Sequence, residues 1–167
     1  SCTPYDRGID QQDGIASWAE SNAVCFTNSY SSLFTNRESG LSALASALTG
    51  YAPHWGLHLE SNRTPNMHVR VECELTEATD FSMLGDWIGK QVKPDLDMPW
   101  GPMPFIEGIP STTGFSELKA LTAAAANYGC PMLWVDGISA PPESTEFQTE
   151  QVFGELELFD EPILTPT

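Results

Sequence analysis

Basic residues are scarce in this chain. Seven Lys and Arg stand against 23 Asp and Glu in 167 residues, a formal net charge of −16. So acidic a composition excludes binding nucleic acid or an anionic membrane through a basic surface. Absent too is any apolar run near the roughly 18 residues of a membrane span, so no membrane insertion is expected. Four cysteines, at 2, 25, 73 and 130, lack the CxxC spacing of a metal or redox motif. They are expected as free, mostly buried thiols, although Cys2, Cys25, Cys73 and Cys130 could also make two disulfides. There is no GxSxG, no phosphate loop, and no basic neighbourhood to turn a cysteine into a nucleophile. The chain starts at Ser1 with no basic-then-apolar leader, so removal of either a leader or an initiator Met is expected. No cofactor is expected from any motif.

What is present centres on Pro53 to Glu77, which holds all three histidines. Trp55, Leu57 and Leu59 alternate with His54, Gly56, His58 and Glu60. Met67, Val69, Val71, Cys73 and Leu75 alternate with His68, Arg70, Glu72 and Glu74. Period-2 patterning predicts two strands, and SNRTP between them predicts a turn. The register that keeps both apolar sets together pairs Leu57 with Val69 and sets His58 opposite His68.

Elsewhere a short helix is predicted over Ile15 to Ser21 and a strand over Ala23 to Asn28. A helix over Ser39 to Thr49 has Ser39 as N-cap, Gly50 beyond its end, and a stripe of Leu41, Leu44, Ala45 and Leu48 that should face the core. Asp80 can cap a second helix to Val92, which Gly85 and Gly89 weaken by roughly 1 kcal/mol each. The four prolines of residues 93–104 predict a loop. A strand over 104–109, a helix over Phe115 to Tyr128, and strands over Pro131 to Asp136 and Gln151 to Phe159 follow.

The first six elements from residue 23 stand in βαββαβ order. The expected fold is therefore α+β: a ferredoxin-like core with a C-terminal αββ extension and a mixed sheet. Residues 15–160 form a single domain, with an N-terminal arm over 1–14 and a C-terminal tail over 161–167.

His54 and His58 would stand roughly 13 Å apart on a strand, too far to share one metal. The cross-strand pair His58 and His68, with Glu60 on the diagonal, is the one candidate for acid–base or metal chemistry. Trp100 and Met98, at the tip of the proline-rich loop, are candidates for a protein interface. With no coherent catalytic set, the leading expectation is a non-catalytic assembly subunit that packs with copies of itself or other chains. A virion component, in the head–tail connection or the tail, is one such setting. The alternatives are a small enzyme with a polar pocket over the 53–77 hairpin, and a secreted, disulfide-bonded binding protein.

Overall fold

The computed structural model describes residues 13–92, 100–101, 103–145 and 147–154. The tail over 161–167, Met98, Cys2 and nearly all of the arm lie outside these residues. Strand β1 (Gly14–Trp18) runs parallel to β2 (Leu33–Arg37), and helix α1 (Ser21–Tyr30) connects them. Strand and helix have thus exchanged places relative to the sequence expectation for residues 15–28. The cause is burial: Ala23 through Ser29 are all buried in α1. A helix covered on most sides carries no 3.6-residue apolar period to recognise.

Helix α2 (Gly40–Thr49) begins as its sequence requires. Ser39 Oγ accepts from the Ser42 backbone N–H, Ser42 Oγ accepts from the Ser39 N–H, and Gly50 closes the helix in the left-handed region at φ 75°. Its apolar stripe does not face the core. Leu41, Leu44 and Leu48 are 82%, 55% and 79% exposed.

The first strand of the expected hairpin does not form. Residues 53–62 fold instead into two single-turn 3-10 helices, Gly56–His58 and Glu60–Asn62. Gly56 sits at φ 62°, a conformation that breaks a strand. Asn36 Oδ1 takes the Leu57 N–H that a sheet partner would need. The second strand does form, as β3 (Met67–Val71), with Met67, Val69 and Val71 buried and Arg70 exposed, the facing that alternation predicts.

Helix α3 (Ala78–Gln91), β4 (Pro104–Glu107), α4 (Phe115–Asn127), β5 (Trp134–Val135) and β6 (Thr149–Phe153) complete the chain. The strand order is β5-β4-β3-β6, and all three pairings are parallel. This excludes the ferredoxin-like fold, whose core strands pair antiparallel. A helix lies between β3 and β4 and another between β4 and β5, and crossovers of this kind bring strands back parallel. The expected αββ extension is likewise part of the same sheet, with β5 at one edge and β6 at the other.

Helices α3 and α4 cover one face of this sheet. Leu84, Ile88 and Leu121 meet Val69, Ile106, Val135 and Phe153 there, all buried. Side chains of this size contribute about 1.5–3 kcal/mol each when fully buried. Leu57, Met103, Met132 and Trp134 form a smaller apolar cluster with Phe105 and Trp100 against it. Trp134 and Phe105 are register partners on β5 and β4, which places this cluster on the sheet.

Candidate functional site

Where α1 and β2 meet the 53–63 segment, buried polar side chains replace regular backbone pairing. Asn28 Nδ2 donates to the carbonyls of Thr35 (2.8 Å) and Pro131 (3.1 Å), and its Oδ1 accepts from the Thr35 N–H. Arg63 Nη1 donates to Asn28 Oδ1 (3.0 Å) and Leu57 O (3.2 Å), and Nη2 donates to Asn28 O (2.9 Å). Its guanidinium lies 4.0 Å from the centre of the Phe34 ring. Burial pushes the Arg63 pKa down to about 10, which still leaves it charged at neutral pH.

Asn36 occupies the neighbouring position in this network. Its Nδ2 donates to Trp55 O (3.0 Å) while its Oδ1 holds the Leu57 N–H at 2.7 Å. The ring of His58 closes the arrangement, with Nδ1 2.7 Å from Pro53 O and Nε2 accepting from the Asn36 N–H at 3.3 Å. A neutral ring protonated on Nδ1 satisfies both partners. The Ala16 carbonyl, 3.3 Å from Nε2, then faces a lone pair and accepts no hydrogen bond from the ring.

Two clefts flank the network. One, of about 450 Å³, is lined by Asn28, Arg63, Ser31, Ser61, Thr64 and Glu143 among others. The second, of about 210 Å³, lies among Asn36, Arg37, Trp55, Leu57, Trp100, Gly129 and Pro131. A third cleft, of about 380 Å³, opens beside Asp136, Gly137 and Ser139, just past the end of β5. Open parallel sheets commonly take ligands at the carboxyl ends of their strands.

The thiols offer no ready nucleophile. Cys25 and Cys130 are free thiols, both buried. The hydrogen bond shared with Cys130, and then burial, hold the Cys25 thiol well above its ordinary range, the reverse of what a thiolate needs. Among the described residues no group of three or more His, Cys, Asp and Glu could hold a metal ion. No helix among them is long and apolar enough to cross a membrane.

The residues singled out by sequence are dispersed. His58 is 5% exposed inside the polar network, and Glu60 opens the second 3-10 helix and lines the 450 Å³ cleft. His68 lies on β3, stacked on Phe147 at 4.9 Å, with Nε2 3.1 Å from Glu107 Oε2. That distance is within ion-pair range, but Nε2 makes no hydrogen bond. No hydrogen bond joins the His58 and His68 rings among the described residues, because the hairpin that would have apposed them is absent. Trp100 is half-buried, edge-to-face with Trp55 at 6.1 Å. The sequence reading missed Asn28, Asn36, Arg37 and Arg63. A single clue was available: Thr35, Asn36 and Arg37 form a polar run directly after the apolar Leu33 and Phe34.

Comparison with known proteins places this geometry. Residues 1–61 match a family model described as the aconitase X first domain, and residues 65–158 match the aconitase X second domain. The phosphomevalonate dehydratase large subunit of Methanothermobacter thermautotrophicus is 38% identical over 153 residues, covering 90% of this chain and 36% of that protein. The subunit of the same name from Thermococcus kodakarensis is 36% identical over 155 residues, covering 91% and 37%. A cis-3-hydroxy-L-proline dehydratase of Hypocrea jecorina is 31% identical over 157 residues, covering 89% and 24%. Among solved structures, the holo-form of Thermococcus kodakaraensis aconitase X superposes with a TM-score of 0.82 at 31% identity, covering 95% of this chain and 40% of that one. The chain therefore spans little more than a third of the large subunits it matches. The relatives matched by sequence are named dehydratases, which overturns the expectation of a non-catalytic virion or assembly subunit.

Proposed function

Because the chain belongs to the aconitase X family, we propose that it forms part of a dehydratase that removes water from a small hydroxy acid. The observation that carries this reading is the consecutive match of two domain models over residues 1–61 and 65–158. Phosphomevalonate and cis-3-hydroxy-L-proline, the compounds named for the relatives, share one chemical unit: a hydroxyl on the carbon β to a carboxylate. Removing water from that unit takes a proton from the α carbon and expels the β hydroxyl, which leaves as water once protonated. A double bond remains between the two carbons. The higher identity to the phosphomevalonate dehydratase subunits, 38% against 31%, favours a phosphorylated acid as substrate. What this chain contributes is a buried polar wall: Asn28 and Arg63 line one cleft, Asn36 lines the other, and His58 ties Asn36 to the 53–63 segment.

The phosphomevalonate dehydratase relatives are named as large subunits, so protein partners belong to this reading. Helix α2 offers the surface. From Ser39 to Leu59 the chain carries no Asp, Glu, Lys or Arg, and Leu41, Leu44, Leu48 and Tyr51 are exposed along it, with Ile15 of the adjoining β1 exposed too. An uncharged apolar face on so acidic a chain suits permanent burial. We assign its occupant as the part of the large-subunit polypeptide beyond the two matched domains, since close to two thirds of that polypeptide lies outside the match.

An exchange experiment tests the dehydratase reading. The matching region of the Thermococcus kodakarensis large subunit is replaced by this chain, and the enzyme is assembled with its remaining parts. Retention of phosphomevalonate dehydration within about tenfold of the parent supports the reading. A folded, assembled chimera without turnover of either hydroxy acid contradicts it.

A further inference from the structure

A shortage of cations in an acidic chain makes each one easy to account for. Among the described residues there are five, Arg37, Arg63, Arg70, Lys90 and Lys119. Arg70 binds Glu72 at 2.8 Å and Glu150 at 2.6 Å, and Lys90 binds Asp86 at 2.6 Å. Lys119 lies over the Phe115 ring at 5.8 Å. Arg63 spends its Nη1 hydrogens and one Nη2 hydrogen on Asn28 and Leu57, so it braces the wall and has little left to offer a ligand. The Arg37 side chain makes no hydrogen bond, ion pair or ring contact among the described residues, although the chain carries a net charge of −16.

The surroundings of Arg37 are built to keep it so. It ends β2 and lines the 210 Å³ cleft with Trp55, Trp100 and Gly129. The neighbouring Asn36 amide is consumed by Trp55 O and Leu57 N and cannot turn to the guanidinium. Opposite stands Gly129, at φ +99°, where a Cβ would come within 3.0 Å of Arg37 Nη1. The absence of that carbon leaves the fork room. Two indoles, Trp55 and Trp100, meet at 74° beside it. A guanidinium with all its donors open takes a carboxylate or phosphate through two parallel hydrogen bonds. At about 210 Å³ the cleft is smaller than the ~300–1,000 Å³ typical of sites for drug-sized ligands, a size that suits one end of a small acid.

We propose that Arg37 is the anchor for an anionic group, carboxylate or phosphate, of a small-acid ligand whose carbon skeleton lies against Trp55 and Trp100. The proposal rests on the dehydratase reading for the choice of a hydroxy acid, and on geometry alone for the anion.

The test is binding to the intact chain, followed through the indole N–H signals of Trp55 and Trp100 in two-dimensional NMR. Inorganic phosphate, acetate and cis-3-hydroxy-L-proline are titrated in separate arms, so that phosphate and carboxylate recognition are distinguished. Saturable shifts at both indoles are expected with at least one anion. Arg37→Gln should weaken that binding at least tenfold, Arg37→Lys less, and Arg70→Gln not at all. Arg37 is exposed, so the glutamine variant should melt with the parent, and a melting curve verifies this. No saturable shift in the parent chain, or equal binding by the Arg37→Gln variant, overturns the proposal. Anion binding through Arg37 combined with an inactive chimera would leave the anchor standing and contradict the dehydratase reading. An active chimera whose KM ignores Arg37→Gln would do the reverse.

Discussion

Two arginines separated by one buried asparagine pair do opposite work. Arg63 satisfies Asn28 O, Asn28 Oδ1 and Leu57 O from a position only 8% exposed. Replacing it by Met removes three charge-assisted hydrogen bonds and strands their acceptors. The expected loss is about 3 kcal/mol or more in chemical denaturation. Arg37 has no such partners, and Arg37→Gln should cost less than about 0.5 kcal/mol. Equal losses in the two variants would mean that the assignment of brace and free cation is wrong. Neither role could be read from sequence. An arginine's neighbours in space, here Asn28 to Arg63 and Gly129 to Arg37, lie far from it along the chain, and no local pattern records them. His58 was legible as a polar site of consequence but not as a backbone clasp, because its partners Pro53 O and Asn36 N are set by tertiary placement.

The elements divide by how local their determinants are. Helix α2 was placed within a residue because Ser39 and Gly50 specify its ends locally. Its leucine stripe is exposed instead of facing the core, since amphipathic spacing marks a face to be covered without saying by what. In this chain Leu48→Gln should therefore change stability by less than about 0.5 kcal/mol. Helix α3 runs the other way. Helix propensity alone makes Gly85→Ala favourable by about 1 kcal/mol, yet a Cβ at Gly85 would sit 2.3 Å from Leu121 O and 2.9 Å from the Ala124 Cβ. The two helices would have to separate, and a loss of at least about 2 kcal/mol is expected in its place. Thermal melts of the two variants decide this, and a stabilised Gly85→Ala would refute the close approach of α3 and α4. At the start of α3, Asp80 Oδ2 accepts from the N–H groups of Thr76 and Glu77. The bond from Glu77, then that from Thr76, holds the Asp80 carboxyl below its ordinary range. A carboxyl whose pKa is lower folded than unfolded stabilises the chain above its ordinary pKa, and that contribution fades as pH falls through the depressed value. Asp80→Asn should thus narrow its stability gap from the parent as the medium is acidified below the usual carboxylate range, which melts taken across acidic pH would reveal.

At the scale of the whole molecule, alternation in 66–76 gave the correct facing of β3 but could not choose its neighbours. That choice came from the helices between β3, β4 and β5, and it turned an expected hairpin fold into a parallel sheet. Sheets of parallel strands are ordinarily covered on both faces. Here α3 and α4 cover one, and Phe147 and Val152 remain 43% and 39% exposed in and just before β6. Together with the leucines of α2, these surfaces agree with a chain that spans little more than a third of its relatives and with the proposal that the rest of an enzyme covers them. The most direct test of that enzyme's activity uses the protein isolated from its native source with the polypeptides that accompany it. Phosphomevalonate and cis-3-hydroxy-L-proline are supplied separately, and proton NMR follows each. The account predicts that phosphomevalonate is consumed while a vinylic proton signal grows in step with it. If both acids persist unchanged while the Thermococcus kodakarensis enzyme turns over phosphomevalonate in a parallel tube, the dehydratase assignment is contradicted.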